Sequence, residues 1–220
     1  AWAVKNQARP LGYRRLGLPC QLMGTGMAFP WALLRDAPLA SGHIVEDMQL
    51  GLDLATAGAA PMFCPDALVT SVFPSDAGGI AEQRSRWEQG HVAVIAKEGP
   101  RALWRAITQR RADLAAMVLD LCVPPLTMLV MLLVLQTVVD AIVVAFGGAP
   151  AALWVAVLAL ALVSLAVVLA WGRFARHIVS LGELLGAPLY VLGKLPLYAR
   201  FFRRGKREWV RTKRDERLDD

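Results

Sequence analysis

The stretch "LTMLVMLLVLQTVVDAIVVAF", Leu126 to Phe146, followed across "GGAP" by "AALWVAVLALALVSLAVVLAW", Ala151 to Trp171, decides the architecture of this chain. The first tract carries one charge, Asp140, and the second carries none. A helix needs roughly 20 apolar residues to cross the hydrocarbon of a bilayer, and each tract supplies them. The four residues between them only turn the chain, so the pair reads as a transmembrane helical hairpin.

Composition agrees with that reading. Of 220 residues 56% are hydrophobic and only 8% aromatic, which is too oily for an ordinary soluble domain. No Lys or Arg occurs between Arg111 and Arg173, whereas "RALWRAITQRR" before the hairpin and "WGRFARH" after it are basic. The positive-inside rule therefore puts both flanks in the cytoplasm and the "GGAP" turn outside. The N-terminal "AWAVKNQARPLGYRR" has no apolar core region, and no signal peptide is expected there. Cys20, Cys64 and Cys122 lack paired spacing, which argues against a zinc site or a disulfide framework.

Net charge is +6, and residues 200–217 account for it, with nine Lys/Arg against Glu208, Asp215 and Glu216, 9 − 3 = +6. A basic run just after an apolar segment fits anionic lipid at the cytoplasmic surface better than nucleic acid, so no nucleic-acid partner is expected. Residues 1–110 form a mixed, turn-rich part, 111–172 an interfacial helix and two transmembrane helices, and 173–220 an interfacial or re-entrant helix with the basic tail. A third crossing over 178–199 would carry that tail outside and break the charge rule.

Within the first part, "CQLMGTGMAF" predicts strand, tight loop and strand around Gly24-Thr25-Gly26, and "APMFCPDALVTSVFP" predicts two more short strands. "EDMQLGLDLATAG" predicts a helix over 46–57 stopped by Gly58, and a second helix is expected over 76–97, ended by Gly99-Pro100. Short strands alternating with helices give an α/β layer.

Three groups of residues could carry chemistry. Glu46-Asp47 opens a helix, where two acids suit the helix dipole; the same pair serves as a general base if one carboxylate is partly desolvated. Gly24-Thr25-Gly26 suits a hairpin turn, or a ligand that must approach the main chain. Gln83, Arg86 and Trp87 fall at i, i+3 and i+4 on one helical face. There an indole stacks on a sugar ring while Arg and Gln hold phosphate oxygens, or Trp87 anchors at a membrane interface.

Taken in order, "MGTGMAF", the Glu46-Asp47 pair, Gln83-Arg84-Ser85-Arg86-Trp87 as Q-x-x-R-W, the apolar helices and the closing "KREWVRTKRDE" resemble one family. It is the bacterial membrane-bound family 2 glycosyltransferases, which include cellulose, hyaluronan and poly-N-acetylglucosamine synthases. The resemblance implies a GT-A fold that transfers a sugar, with inversion, from a nucleotide-sugar donor to a polysaccharide or lipid-linked acceptor at the inner membrane. Asp47 matches the family's general base and Glu46 its neighbour; Val45 stands where the family usually has Thr. Gln83, Arg86 and Trp87 match the motif bordering acceptor and donor pyrophosphate, and Gly24, Thr25 and Gly26 match the loop near the acceptor.

No D-x-D occurs in this chain. The expected fold is therefore an α/β partial GT-A-type domain, the C-terminal half of the catalytic domain, followed by the helical hairpin and an interfacial helix. The divalent metal, Mg or Mn, that the resemblance implies belongs to a D-x-D in the nucleotide-binding half, and no metal ligand is assigned in these residues. The competing reading is a non-enzymatic membrane anchor or assembly subunit, with the acids and Trp87 structural.

Overall fold

The computed structural model describes residues 2–35, 37, 45–70, 77–187, 191 and 193. Among them every regular element is a helix, in two compact units, one of residues 13–122 and one of 2–12 with 123–187. The expected α/β GT-A-type layer is therefore corrected: the regular elements described over residues 1–110 are helices.

The reason lies in the backbone donors. The runs over 18–23 and 59–64 do lie side by side, with the Cys20 amide donating to the Pro61 carbonyl at 3.0 Å. Pro61 has no N–H to return, and Pro19 and Pro65 interrupt the same runs. The two apolar runs thus share one backbone bond without the reciprocal bonds that make a ladder.

In the unit of residues 13–122, helix α1 (Arg9–Arg15) leads in, and α2 (Trp31–Leu34) is a single turn. Helix α3 (Glu46–Thr56) forms where expected. Its first turn carries Glu46 and Asp47, and its end is closed by Gly58 at φ +94°, with Gly58 N–H to the Ala55 carbonyl and Ala59 N–H to the Leu54 carbonyl. That six-to-one and five-to-two pair needs a left-handed residue, which glycine adopts without Cβ strain. Val45, Met48, Leu52 and Ala55 face the core.

Helix α4 (Ala77–Thr108) runs straight through the expected stop, with Pro100 inside it. Pro100 forfeits one backbone bond, but Ala102 and Ala106 beyond it are almost wholly enclosed, and that packing keeps the following turns helical. Helix α5 (Ala112–Leu121) encloses Leu114, Met117, Val118 and Leu121 completely and forms the centre of this core, against α3 and α4.

In the other unit, α6 (Leu126–Ala145) and α7 (Ala151–Ala170) pair as the hairpin anticipated from the sequence. Both start after prolines, Pro125 and Pro150, at positions where a missing N–H is harmless. Gly147 turns the chain at φ +90°, and a Cβ on Gly148 would sit 2.8 Å from the Val143 carbonyl oxygen. Asp140 is buried and held by Gln136, whose amide donates to both carboxylate oxygens at 2.9 Å. Leu135, Val138, Ile142, Leu158, Leu162 and Leu165 stand exposed, so both helices present apolar surface outward and are long and apolar enough to cross a membrane.

Beyond α7 a π-helical turn, Trp171–Ala175, leads to a bend where the Trp171 indole donates to the Val179 carbonyl at 2.7 Å. Helix α8 (Leu181–Leu185) opens with a capping box between Ser180 and Glu183, which hold each other's backbone amides. Ten residues of the expected interfacial stretch over 178–199, and all of the basic tail, lie outside the described residues.

Candidate functional site

A chain of contacts delivers the glycine loop to the acidic end of α3. Cys20 is buried, and desolvation together with the nearby Asp120 carboxylate pushes its thiol up to about 11, so it serves as packing and not as a nucleophile. Next, the Gln21 amide donates to the Met117 carbonyl of α5 at 2.9 Å. Leu22 then wedges against Gly51 of α3, where a Cβ would lie 3.2 Å from Leu22 Cγ and 3.2 Å from Met117 Cε. The absence of a side chain at 51 lets the incoming segment lie directly on the helix.

Two residues further on, Gly24 faces Asp47: a Cβ there would sit 3.5 Å from Asp47 Oδ2, at φ +89°. Gly26, at φ +75°, abuts Val69, whose Cγ2 would be only 2.8 Å from an added Cβ. The loop is thus pinned at one glycine against the carboxylate and at the other against Val69, with Thr25 exposed between them. Gly26→Ala combines left-handed strain with a steric clash, for an expected loss of about 2–3 kcal/mol in unfolding free energy, read from the urea midpoint in detergent. Gly12→Ala, where nothing lies within 4 Å, is the control.

The acids are not equivalent. Glu46 is exposed, whereas Asp47 is half-buried beside the loop. On α4, Gln83 and Arg86 are half-buried and Trp87 is 42% exposed, so the indole is available to a ligand. Gln83, Trp87, Gly90 and Val94 fall on one stripe of the helix, and Gly90 and Val94 are buried in it. The motif therefore begins the stripe that enters the core further along α4, with Trp87 about 10 Å along the axis from Val94.

Arg111 fixes how α3 and α4 lie. From the residue just before α5 it donates to the Thr56 carbonyl at 3.0 Å and the Ala55 carbonyl at 2.7 Å, the last acceptors of α3. Its Nε and Nη2 also hold Asp113 at 3.2 and 2.5 Å. The C-terminal end of α3 is thereby tied just beyond the C-terminal end of α4, while Val45 and Val94 join the same core cluster. Along both helices the acidic pair and Gln83-Arg86-Trp87 lie toward the N-terminal ends, away from the Arg111 clamp. The His91 ring, buried, meets the Leu121 carbonyl at 2.8 Å and steadies α4 on α5 at the start of the packed stripe.

The sequence marks the loop, the acids and the α4 face as candidates, but not Gln21, Gly51 and Arg111, which hold the elements that carry them. An R-x-D at a helix start was the visible signal for Arg111; Gln21 offered only a polar residue inside an apolar run. Among the described residues no three His, Cys, Asp or Glu side chains converge. They do not fit the divalent metal that the resemblance implies, and no step is routed through one.

The structure thus sets the Asp47 carboxylate against the glycine loop and carries Gln83, Arg86 and Trp87 on α4, a helix that packs on α3. The family model described as glycosyl transferase family group 2 matches residues 11–174, a span containing every candidate residue and both apolar helices, and the chain belongs to that family. Neither a curated protein nor a solved structure gives a match.

Proposed function

We propose that the chain serves an inverting glycosyltransferase that moves a sugar from a nucleotide-sugar donor to a polysaccharide or lipid-linked acceptor at the cytoplasmic face of the bacterial inner membrane. The observation carrying this reading is the half-buried Asp47 carboxylate opposite Gly24, in a chain of this family. Asp47 takes the proton of the acceptor hydroxyl as that oxygen attacks the anomeric carbon. The bond from the anomeric carbon to the diphosphate breaks in the same displacement, which inverts the centre. Gly24 adds no Cβ on the side of the loop that faces Asp47, which suits an acceptor hydroxyl approaching the main chain there.

Trp87 stacks on the acceptor ring, and Arg86 with Gln83 holds diphosphate oxygens. The α6–α7 hairpin keeps the site beside the bilayer, with the basic residues 200–217 against anionic lipid. Trp87→Ala, removing one stacking contact, lowers kcat/KM for the acceptor roughly tenfold with donor KM little changed. The decisive experiment measures nucleotide release by the full-length protein from UDP- and GDP-sugars with and without acceptor. Acceptor-dependent release with an inverted product supports the assignment; a retained anomeric configuration, or no release with any donor, rejects it.

A further inference from the structure

Past Pro100, α4 has two opposed faces. Gly99, Ala102 and Ala106 are buried against the core, whereas Pro100, Trp104 and Ile107, at i, i+4 and i+7, form a stripe on the other side. Trp104 is 68% exposed and Ile107 61% exposed, so the stripe is open over both of its large side chains. Lys97, Arg101, Arg105 and Arg110 are exposed around it, and Glu98, the acid of this segment, is half-buried and paired with Lys97. Arg101, Arg105 and Arg110 make no side-chain hydrogen bond or ion pair among the described residues.

An indole and an isoleucine facing water are unfavourable by themselves, and nothing in the core needs them there. Guanidinium groups beside them match the layering of a bilayer surface, with apolar side chains at the acyl boundary and cations at the phosphates. The same chain leads through α5 into the apolar helix α6. We infer that the outer face of α4 formed by Arg101, Trp104, Arg105 and Ile107 docks on anionic phospholipid, as a contact separate from the basic tail. It rests on the hairpin's being membrane-inserted.

The docked face gives α4 a second attachment besides the core, at the end of the helix opposite Gln83, Arg86 and Trp87. The test uses the full chain with Cys64 and Cys122 changed to Ser; Cys20 is buried and its raised thiol resists labelling. Single cysteines at Ile107, at Leu135 in α6 and at exposed Ala57 carry an environment-sensitive dye in vesicles of phosphatidylcholine, with or without roughly three parts in ten of phosphatidylglycerol.

Quenching by spin-labelled lipid at 107 in the anionic vesicles, weakened by high salt and absent at 57, is the expected result. Arg101→Gln and Arg105→Gln should each lower the docked-to-free ratio at 107 roughly fivefold. A label at 107 that stays in water while 135 is quenched overturns the docking face alone. No quenching at 135 overturns the hairpin reading and the docking with it. Equal quenching in neutral vesicles, or shielding at 107 that grows with protein density in place of anionic lipid, also overturns it, the latter in favour of self-association.

Discussion

Asp47→Asn lowers turnover by about 10²- to 10⁴-fold, the usual contribution of a positioned general base. The substitution keeps the shape of the side chain beside Gly24 and changes what it can accept: an amide oxygen takes a hydrogen bond but not a proton. Donor affinity stays near that of the parent, because the proton is taken from the acceptor. The loss therefore falls on kcat, the signature of an interaction made in the transition state. Glu46→Gln separates this from a general effect of acidic charge at the helix start. Glu46 is exposed in the same first turn and shares the helix dipole, whereas the carboxylate within 4 Å of a Cβ at Gly24 is that of Asp47. An Asp47→Asn enzyme with parental turnover, or a Glu46→Gln enzyme equally disabled, would remove Asp47 from its role.

Where a local physical rule had no competitor, the sequence was readable. The hairpin was legible because two uncharged or nearly uncharged tracts of sufficient length have few other uses, and both helices formed on the expected residues. Helix α3 was legible from its ends, acids at the start and Gly58 at the stop. Strands at 20–23 and 60–64 were misread because a short apolar run reports burial, while a ladder depends on a partner's amides, and Pro61 has none to give. Pro100 was misread as a stop because the compensation for its missing bond comes from Ala102 and Ala106 packing on another helix.

The site shows the same division. The candidate residues stand out by their order along the chain, whereas the groups that hold their elements in place act across long separations. Gln21 reaches Met117, and Arg111 reaches Ala55 and Thr56. The R-x-D at position 111 marks a local helix start, and not that its arginine closes a helix more than fifty residues earlier.

Arg111→Ala is for that reason expected to be the most destabilising exchange outside the fully enclosed core. It strips two carbonyls at the end of α3 of a charged donor and leaves Asp113 without its partner. Charge-assisted bonds of this kind contribute about 1.5–3 kcal/mol each, and with the side chain 22% exposed water recovers part, so a net loss of about 2–3 kcal/mol follows. Urea unfolding in detergent measures it. Arg111→Lys restores little, since one ammonium cannot bridge two carbonyls and a carboxylate in a single plane. The pH dependence carries a sign: the Arg111 hydrogen bond, followed by the Leu114 backbone amide and the guanidinium charge, holds the Asp113 carboxyl below its usual range. An acid whose folded value is depressed binds protons more readily when unfolded, so stability rises with pH through this window. The contribution is complete above the ordinary carboxylate value of about 3.9 and fades as pH falls below it through the lowered folded value. Arg111→Ala should flatten that acid limb, and Asp113→Asn in the Arg111→Ala background should add almost nothing further. If the two losses instead add in full, the residues act independently and α3 is held in place by its apolar face alone.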